Sequence, residues 1–320
     1  MEYLLTLRDA ARGTLRAPGF AMLAIGVLAL GIGAATLMFS LVNAVLIRDL
    51  PFAAPDRLVW MYNLRSERDR APLSIADFED YRQQASTLAG LSPFTNWTAN
   101  LTGVRTPERL EGARVAGNFF DLIGVRPMMG RTLRPDDEAT DARVAVVSYG
   151  LWMRRFGGLT DVIGKGVSLN GATFTIVGVL PPRFLFPFRN AEIAVPLTLR
   201  EDPRRTDRGA NFLRVVARLG PGVSLSQAKT DLDAIARRLG ESYPAENARK
   251  IGISLYPLHA EIVRDYRAIL WALFAAVAVL LAIGCGNLAN LLLVRAAGRE
   301  NEFAIRMSLG ASRWQLAWLL

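Results

Sequence analysis

Hydrophobic positions follow three different rhythms along this chain. Two stretches are apolar without interruption. Residues 17–47 and 268–294, 31 and 27 residues long, hold no Asp, Glu, Lys or Arg. A helix that crosses a bilayer needs ~20 apolar residues, so the pattern predicts transmembrane helices over 20–47 and 267–294. The first stretch is also about twice the ~7–15-residue apolar region of a cleaved signal peptide. It therefore reads as a retained anchor. Small residues Gly31 and Gly33 in the first stretch suit close helix packing, as do the carboxamides of Asn287 and Asn290 in the second.

The region between, 48–266, alternates strand and helix periods of ordinary length. RLVWMYN (57–63) predicts a strand. SIADFEDYRQQA (74–85) predicts a helix with Ser74 at its N-cap and Asp77 at the third position. LAGLSPFTNWTANL follows with strand and turn signals. A similar order returns later: strand NFLRVVARL (211–219), amphipathic helix SLSQAKTDLDAIARRLGESYP (224–244), strand ARKIGISLYPL (248–258). Two β-α-β halves of one lobe are the expectation. In the middle, RVAVVSYGLWMRRFGG (143–158) predicts strand then helix. KGVSLNGATFTIVGVLPP (165–182) predicts a hairpin turning at Asn170-Gly171. These elements are expected to form an inserted small α/β lobe.

The ends are amphipathic. Leu4, Leu7, Ala11 and Leu15 recur at helical spacing against Arg8, Arg12 and Arg16. That pattern predicts a helix over 1–19 lying along the membrane surface, with a frayed basic tail as the alternative. After the second span, 295–313 predicts a charged helix. Arg295, Arg299, Glu302 and Arg306 share one stripe, and Phe303 and Met307 another face. Gly310 suits the helix end, and Ser312 with Gln315 fits a capping box that opens a new helix. Residues 314–320 then read as the start of a third span, which predicts a longer protein.

Composition agrees with a chain part in lipid and part in water. It is 51% apolar and 21% charged, with a net charge of +9 and a mean hydropathy of +0.22. The basic excess is almost all Arg and is scattered, with no basic run longer than two, so a membrane surface is favoured over nucleic acid. Residues 48–267 hold 31 basic and 25 acidic side chains, as a water-exposed domain would. Arg on both short terminal flanks places both ends in the cytoplasm by the positive-inside rule. The single Cys285 excludes an intrachain disulfide, and the single His259 excludes a His-based metal cluster.

Catalytic chemistry is not legible. In GLTDVIGKG, five residues separate Gly158 from Gly164, Gly166 stands where a P-loop needs Ser or Thr, and a strand follows where a helix should. GIGAAT (31–36) lacks the last Gly of a dinucleotide fingerprint and lies inside the first span. Asp136, Asp137 and Glu138 read as a solvated loop, and His259 as a structural or surface residue. No catalytic, cofactor-binding or metal-binding residue is assigned, and no enzyme is expected.

Four stretches in order resemble the MacB/FtsX-like permeases of ABC transporters. They are LALGIGAATLMFSLVNAVLIRDLPF, GARVAGNFFDLIGVRPMMGRTLRPDDE with LNGATFTIVGVLPPRF, and GCGNLANLLLVRAAGRENEFAIRMSLGASRWQL. The subgroup resembled is the large duplicated permeases whose chain carries no ATPase; Asp49 stands where that subgroup usually has Pro. The resemblance implies a multi-pass protein of the bacterial inner membrane, with 48–266 as an extracytoplasmic core domain built of a porter-like lobe and an inserted small lobe. It implies a separate cytoplasmic ABC ATPase and a second permease unit or duplicated half. A periplasmic adaptor and an outer-membrane channel are further partners it allows. The role implied is efflux or mechanotransmission, with FtsX-like signalling to an external partner such as a cell-wall hydrolase as the alternative. On this resemblance Arg299, Glu302, Phe303, Arg306, Met307 and Gly310 form a coupling helix for the ATPase.

Overall fold

The structure is a computed structural model that describes residues 18–43, 46, 52–66, 69–103, 107–182, 184, 191–247 and 249–297. The chain divides into two compact units. One is 49–262; the other joins 1–48 with 263–320.

Among the described residues, the strands of the first unit form one mixed sheet of 11. Its frame is set by β1 (Leu58–Leu64), β3 (Leu88–Thr102), β10 (Arg214–Leu219) and β11 (Gly252–Pro257), lying in the order β11-β1-β10-β3. Every neighbouring pair in that row is antiparallel. Helix α2 (Ile75–Gln84) joins β1 to β3, and α6 (Leu225–Ser242) joins β10 to β11. This is the split β-α-β arrangement: each half is interleaved with the other, and β10 separates β1 from β3. The short β2 (Arg70–Ala71) pairs with the end of β1.

Period-two alternation assigns the faces. Val59, Met61, Val215 and Ala217 point to α2 and α6, meeting Phe78, Tyr81, Leu232 and Ile235. Leu58, Trp60, Phe94 and Val216 point the other way, onto Phe119 and Phe120 of the short α3 (Phe119–Ile123). β1 is therefore buried on both faces, which is why LVWM reads as a continuous apolar run. Both helices begin at serine caps. Ser74 accepts from the Asp77 amide, and Ser224 and Gln227 form a reciprocal box. A cap of this kind stabilises a helix by about 1 kcal/mol.

The sheet continues beyond β3 as β4 (Glu108–Val115), β9 (Ile193–Pro196), β6 (Val144–Val147), β8 (Ala172–Val179) and β5 (Met129–Gly130). β7 (Gly166–Leu169) pairs with both β8 and the far end of β3. The pairings thus close a circuit: β3-β4-β9-β6-β8-β7 and back to β3. All six strands contribute to one cluster, including Leu101, Leu110, Ile193, Val147, Ile176 and Leu169, joined by Leu151 and Trp152 of α5 (Tyr149–Phe156). The inserted elements are therefore no separate sheet. They extend the first one, because LAGLSPFTNWTANLT forms one 15-residue strand that serves both regions.

The Asn170-Gly171 turn has positive φ at both positions, 52° and 80°, as a two-residue hairpin loop of the primed type demands. The acidic stretch read as a loop is instead α4 (Pro135–Ala139). Asp137 is buried, accepts from the Arg134 amide and grips the Arg131 guanidinium with both oxygens at 2.6 and 2.8 Å; Glu138 accepts from the Gly117 amide. These two carboxylates hold the fold together rather than a solvated turn.

In the second unit, α1 spans Pro18–Val42 and α8 spans Leu258–Ala297; the first turns of α8 belong to the sheet unit. Both helices are long and apolar enough to cross a membrane, over Ala24–Val42 with mean hydropathy 2.2 and over Tyr266–Val294 with 2.6. Most of their surface is exposed, including Ile25, Leu30, Phe39, Trp271, Leu280 and Ile283. The two α-helices meet at Met38, Val42 and Leu270. In the sheet unit, α7 (Pro244–Asn247) is a single turn that follows α6.

Candidate coupling site

Helix α8 starts without a linker. β11 ends at Pro257 and Leu258 is already helical. Leu258, Glu261 and Ile262 fall at the i, i+3, i+4 spacing that lines one helix face. Leu258 is fully buried in the sheet's aromatic cluster, and Ile262 packs against it. Glu261 lies between them with only 5% of its side chain exposed. Its Oε1 accepts from the Tyr62 hydroxyl at 3.0 Å, and its Oε2 pairs with Arg70 Nη1 at 3.4 Å. The Arg70 guanidinium also stacks over Tyr256, 3.7 Å from the ring centroid. One carboxylate thus ties the opening of α8 to β1, β2 and, through Arg70, β11. A buried carboxylate held by two donors is worth more than an exposed ion pair, because water cannot replace its partners.

A second polar cluster lies at the head of α2. Asp77 is 1% exposed and accepts from Arg208 Nη1 at 2.8 Å, Asn247 Nδ2 at 3.1 Å and Lys250 Nζ. Arg208 reaches Asp80 as well, at 2.7 Å, and stacks over Tyr243 at 3.7 Å. Burial alone would push the Asp77 carboxyl up; the bond and charge of Lys250, with Asn247 and Arg208, hold it below its ordinary value. Asp77 is thus the hub joining α2, α7 and the 200–211 segment, beyond the helix-cap position read from its spacing. Asp77, Arg208 and Lys250 hold a buried charge balance and show no arrangement of nucleophile and base. Among the described residues no group of three metal-ligating side chains converges.

Of the helix-packing residues expected from sequence, Gly31 is buried, and a Cβ there would lie 2.7 Å from Leu281 Cδ1 of α8. Gly33, Asn287 and Asn290 are exposed. Gly284, three residues before Asn287, faces Val27, whose Cγ1 would lie 3.1 Å from an added Cβ. His259, on the first turn of α8, is half-buried. Arg299, Glu302, Phe303, Arg306, Met307 and Gly310 lie outside the described residues. So do most of the helix expected over 1–19 and all of 314–320. Sequence reading missed Glu261. Its signal was present in the Leu258, Glu261, Ile262 spacing, just ahead of an uncharged run.

A mixed α/β domain in a chain that also carries two helices long and apolar enough to cross a membrane fits the class of membrane-anchored proteins with a folded domain outside the bilayer. Residues 21–235 match the MacB-like periplasmic core domain, and the chain belongs to that family, the MacB/FtsX-like permeases of ABC transporters. It is 24% identical over 246 residues to the macrolide export ATP-binding/permease protein MacB of Neisseria meningitidis, a match covering 75% of this chain and 36% of that one. The chain thus corresponds to little more than a third of that relative. To the uncharacterised ABC transporter permease YknZ of Bacillus subtilis it is 23% identical, over 82% of this chain and 67% of that one. Among solved structures, a domain of a putative permease from Porphyromonas gingivalis shares the fold, with TM-score 0.50 and 19% identity over 64% of this chain and 92% of that one.

Proposed function

We propose that the chain is a permease subunit of an ABC-type efflux or mechanotransmission system, coupling a separate cytoplasmic ATPase to movement of its core domain. On this reading it is a multi-pass protein of the inner membrane with 49–262 outside the cytoplasm. The split β-α-β layer is its porter-like lobe and the closed circuit of strands its inserted lobe. The observation that carries the reading is α8. One unbroken helix starts in the sheet's core at Leu258 and goes on through an apolar run of 29 residues to Ala297. The charged helix expected just after it, with Phe303 and Met307 as anchors, would receive the ATPase. Family membership supports an ATPase partner, and a second permease unit or duplicated half is part of the same proposal.

The test is isolation of the chain from its native membranes, with assay of ATP hydrolysis in what accompanies it. A co-purifying ATPase that is lost or unresponsive in Glu302→Arg and Phe303→Ala supports the reading. The core domain should stay folded in both variants. An ATPase bound at parental yield and activity in both variants would remove the coupling helix. ATP-dependent domain movement without export of any tested compound would favour signalling to an external partner. Turnover of a substrate by the isolated chain would overturn the reading altogether.

A further inference from the structure

Positive charge gathers where the chain enters β1, with no carboxylate to answer it. Pro55–Arg57 form a single turn ahead of that strand, and the sheet register sets Arg218 of β10 opposite Leu58, the residue after Arg57. The Arg218 guanidinium donates to three backbone carbonyls, those of Leu122 at 2.7 Å, Ala53 at 2.7 Å and Ala54 at 3.3 Å. Arg57 donates from Nε and Nη2 to the Leu219 carbonyl, at 3.0 and 2.6 Å. Among the described residues neither arginine pairs with a carboxylate, whereas Arg131, Arg154 and Arg208 each do. Carbonyl oxygens carry only partial charge, so two full positive charges stay side by side. Burial, and after it the charge of Arg57, pulls the Arg218 guanidinium below its ordinary value.

The backbone around the pair is tightly set. Ala54 has φ 44°, a left-handed conformation that costs an alanine energy. The Ala53 amide donates to the Ile123 carbonyl at 3.1 Å. Gly124, at the end of α3, has φ 74°, and a Cβ there would lie 2.3 Å from Ala53 Cβ. Both guanidiniums are half-buried, and each keeps N–H groups that the carbonyls leave free. Two adjacent guanidiniums match an anion with several oxygens on one centre, as phosphate has.

We propose that Arg57 and Arg218 form a binding site for a phosphate-bearing anion. The site is independent of the coupling reading given above. A lipid headgroup and a soluble phosphate share the required chemistry. Ten residues separate Arg57 from the uncharged run that ends at 47, at most ~35 Å of extended chain, so a headgroup is within covalent reach.

Hydrogen exchange on the full chain in lipid nanodiscs tests it, read at the Ala53 and Arg57 amides, each bonded to a carbonyl at 3.1 Å. Phosphatidylcholine discs are compared without and with inorganic phosphate, at ionic strength matched by chloride, and then with discs containing phosphatidylglycerol. At least one ligand should slow these amides severalfold, and the one that does so names the source. Arg57→Gln should need about tenfold more phosphate for the same slowing, the worth of one charge-assisted hydrogen bond, or lose the effect of phosphatidylglycerol. Arg249→Gln removes an exposed charge elsewhere and should behave as the parent. Arg57→Lys keeps the charge but cannot make the two-point bond to the Leu219 carbonyl. It should therefore retain most of the ligand effect, which a purely structural role for Arg57 would not predict. No slowing by either ligand, equal slowing in the parent and Arg57→Gln, or equal loss in Arg57→Lys and Arg57→Gln would overturn the proposal.

Discussion

Replacing Asp77 by Asn removes the negative charge at the centre of the buried cluster while keeping its shape. Lys250 and Arg208 then keep their positive charges with side chains only 7% and 11% exposed. Asp80 still answers Arg208, but Lys250 loses its carboxylate partner and keeps only the Arg208 carbonyl, 2.7 Å away. Removing one member of a buried pair costs about 3–5 kcal/mol. Because Asp80 remains, the low end, about 3 kcal/mol, applies. For a domain of this size each kcal/mol moves Tm by roughly 2–4 °C, so the variant should melt about 6–12 °C lower. The acid limb gives an independent check. The Asp77 carboxyl is held below its ordinary value of 3.8, so its contribution is full above that value and is lost as pH falls through the lower, folded-state value. Thermal melts of the full chain in detergent, followed by tryptophan fluorescence from pH 7 down to pH 3, measure both effects. Asp77→Asn should lower Tm at neutral pH and show a shallower loss on acidification than the parent. A Tm within 2 °C of the parent, or an acid limb of unchanged steepness, would refute the argument from charge.

Three further outcomes are expected. Gly178→Ala would place a Cβ 2.0 Å from the Arg131 carbonyl oxygen, where backbone must shift; a loss of about 1–3 kcal/mol, read as a lower melting point, is the result. Gly31→Ile should weaken the α1–α8 contact against Leu281, while Gly33→Ile, which meets open space, should not; disulfide trapping between cysteines placed at Val27 and Gly284 measures this in membranes. Asp231→Ala removes one carboxylate oxygen that accepts from the amides and hydroxyls of both Ser86 and Thr87. It should destabilise the α2–β3 connection by about 2 kcal/mol, seen as faster hydrogen exchange at residues 85–88.

Local features were legible where one short stretch decides its own conformation. Ser224 and Gln227 announce the start of α6, Asn170-Gly171 announces its hairpin, and the two uncharged runs announce α1 and α8. What could not be read depends on distant partners. That β10 lies between β1 and β3 follows from the register of Trp60 against Val216 and of Val216 against Ser92, which no window of sequence contains. The Asp77 hub is of the same kind, since its partners Arg208 and Lys250 lie 131 and 173 residues away. Asp77 carried one usable signal, its position near a helix start; its charge is not set apart from those of Glu79, Asp80 and Arg82 in the same helix. LAGLSPFTNWTANL carries strand and turn signals together. Pairing on both sides, with β10 at one end and with β4 and β7 at the other, keeps it extended throughout.

The place of β10 has a consequence for synthesis. The ribosome makes β1 and β3 more than a hundred residues before the strand that separates them in the sheet. Until residues 214–219 arrive, each presents an open, largely apolar edge, and such edges pair with whatever they meet. Ring closure at Thr102 and Ser168 joins residues 66 apart and can come earlier. The circuit of strands should therefore form first, and the split layer only when the chain is nearly complete, so that folding is slow and open to aggregation over that interval. A chain stalled before Arg214 would expose β1 and β3 together, and it is at that length that a holding chaperone should bind it most tightly.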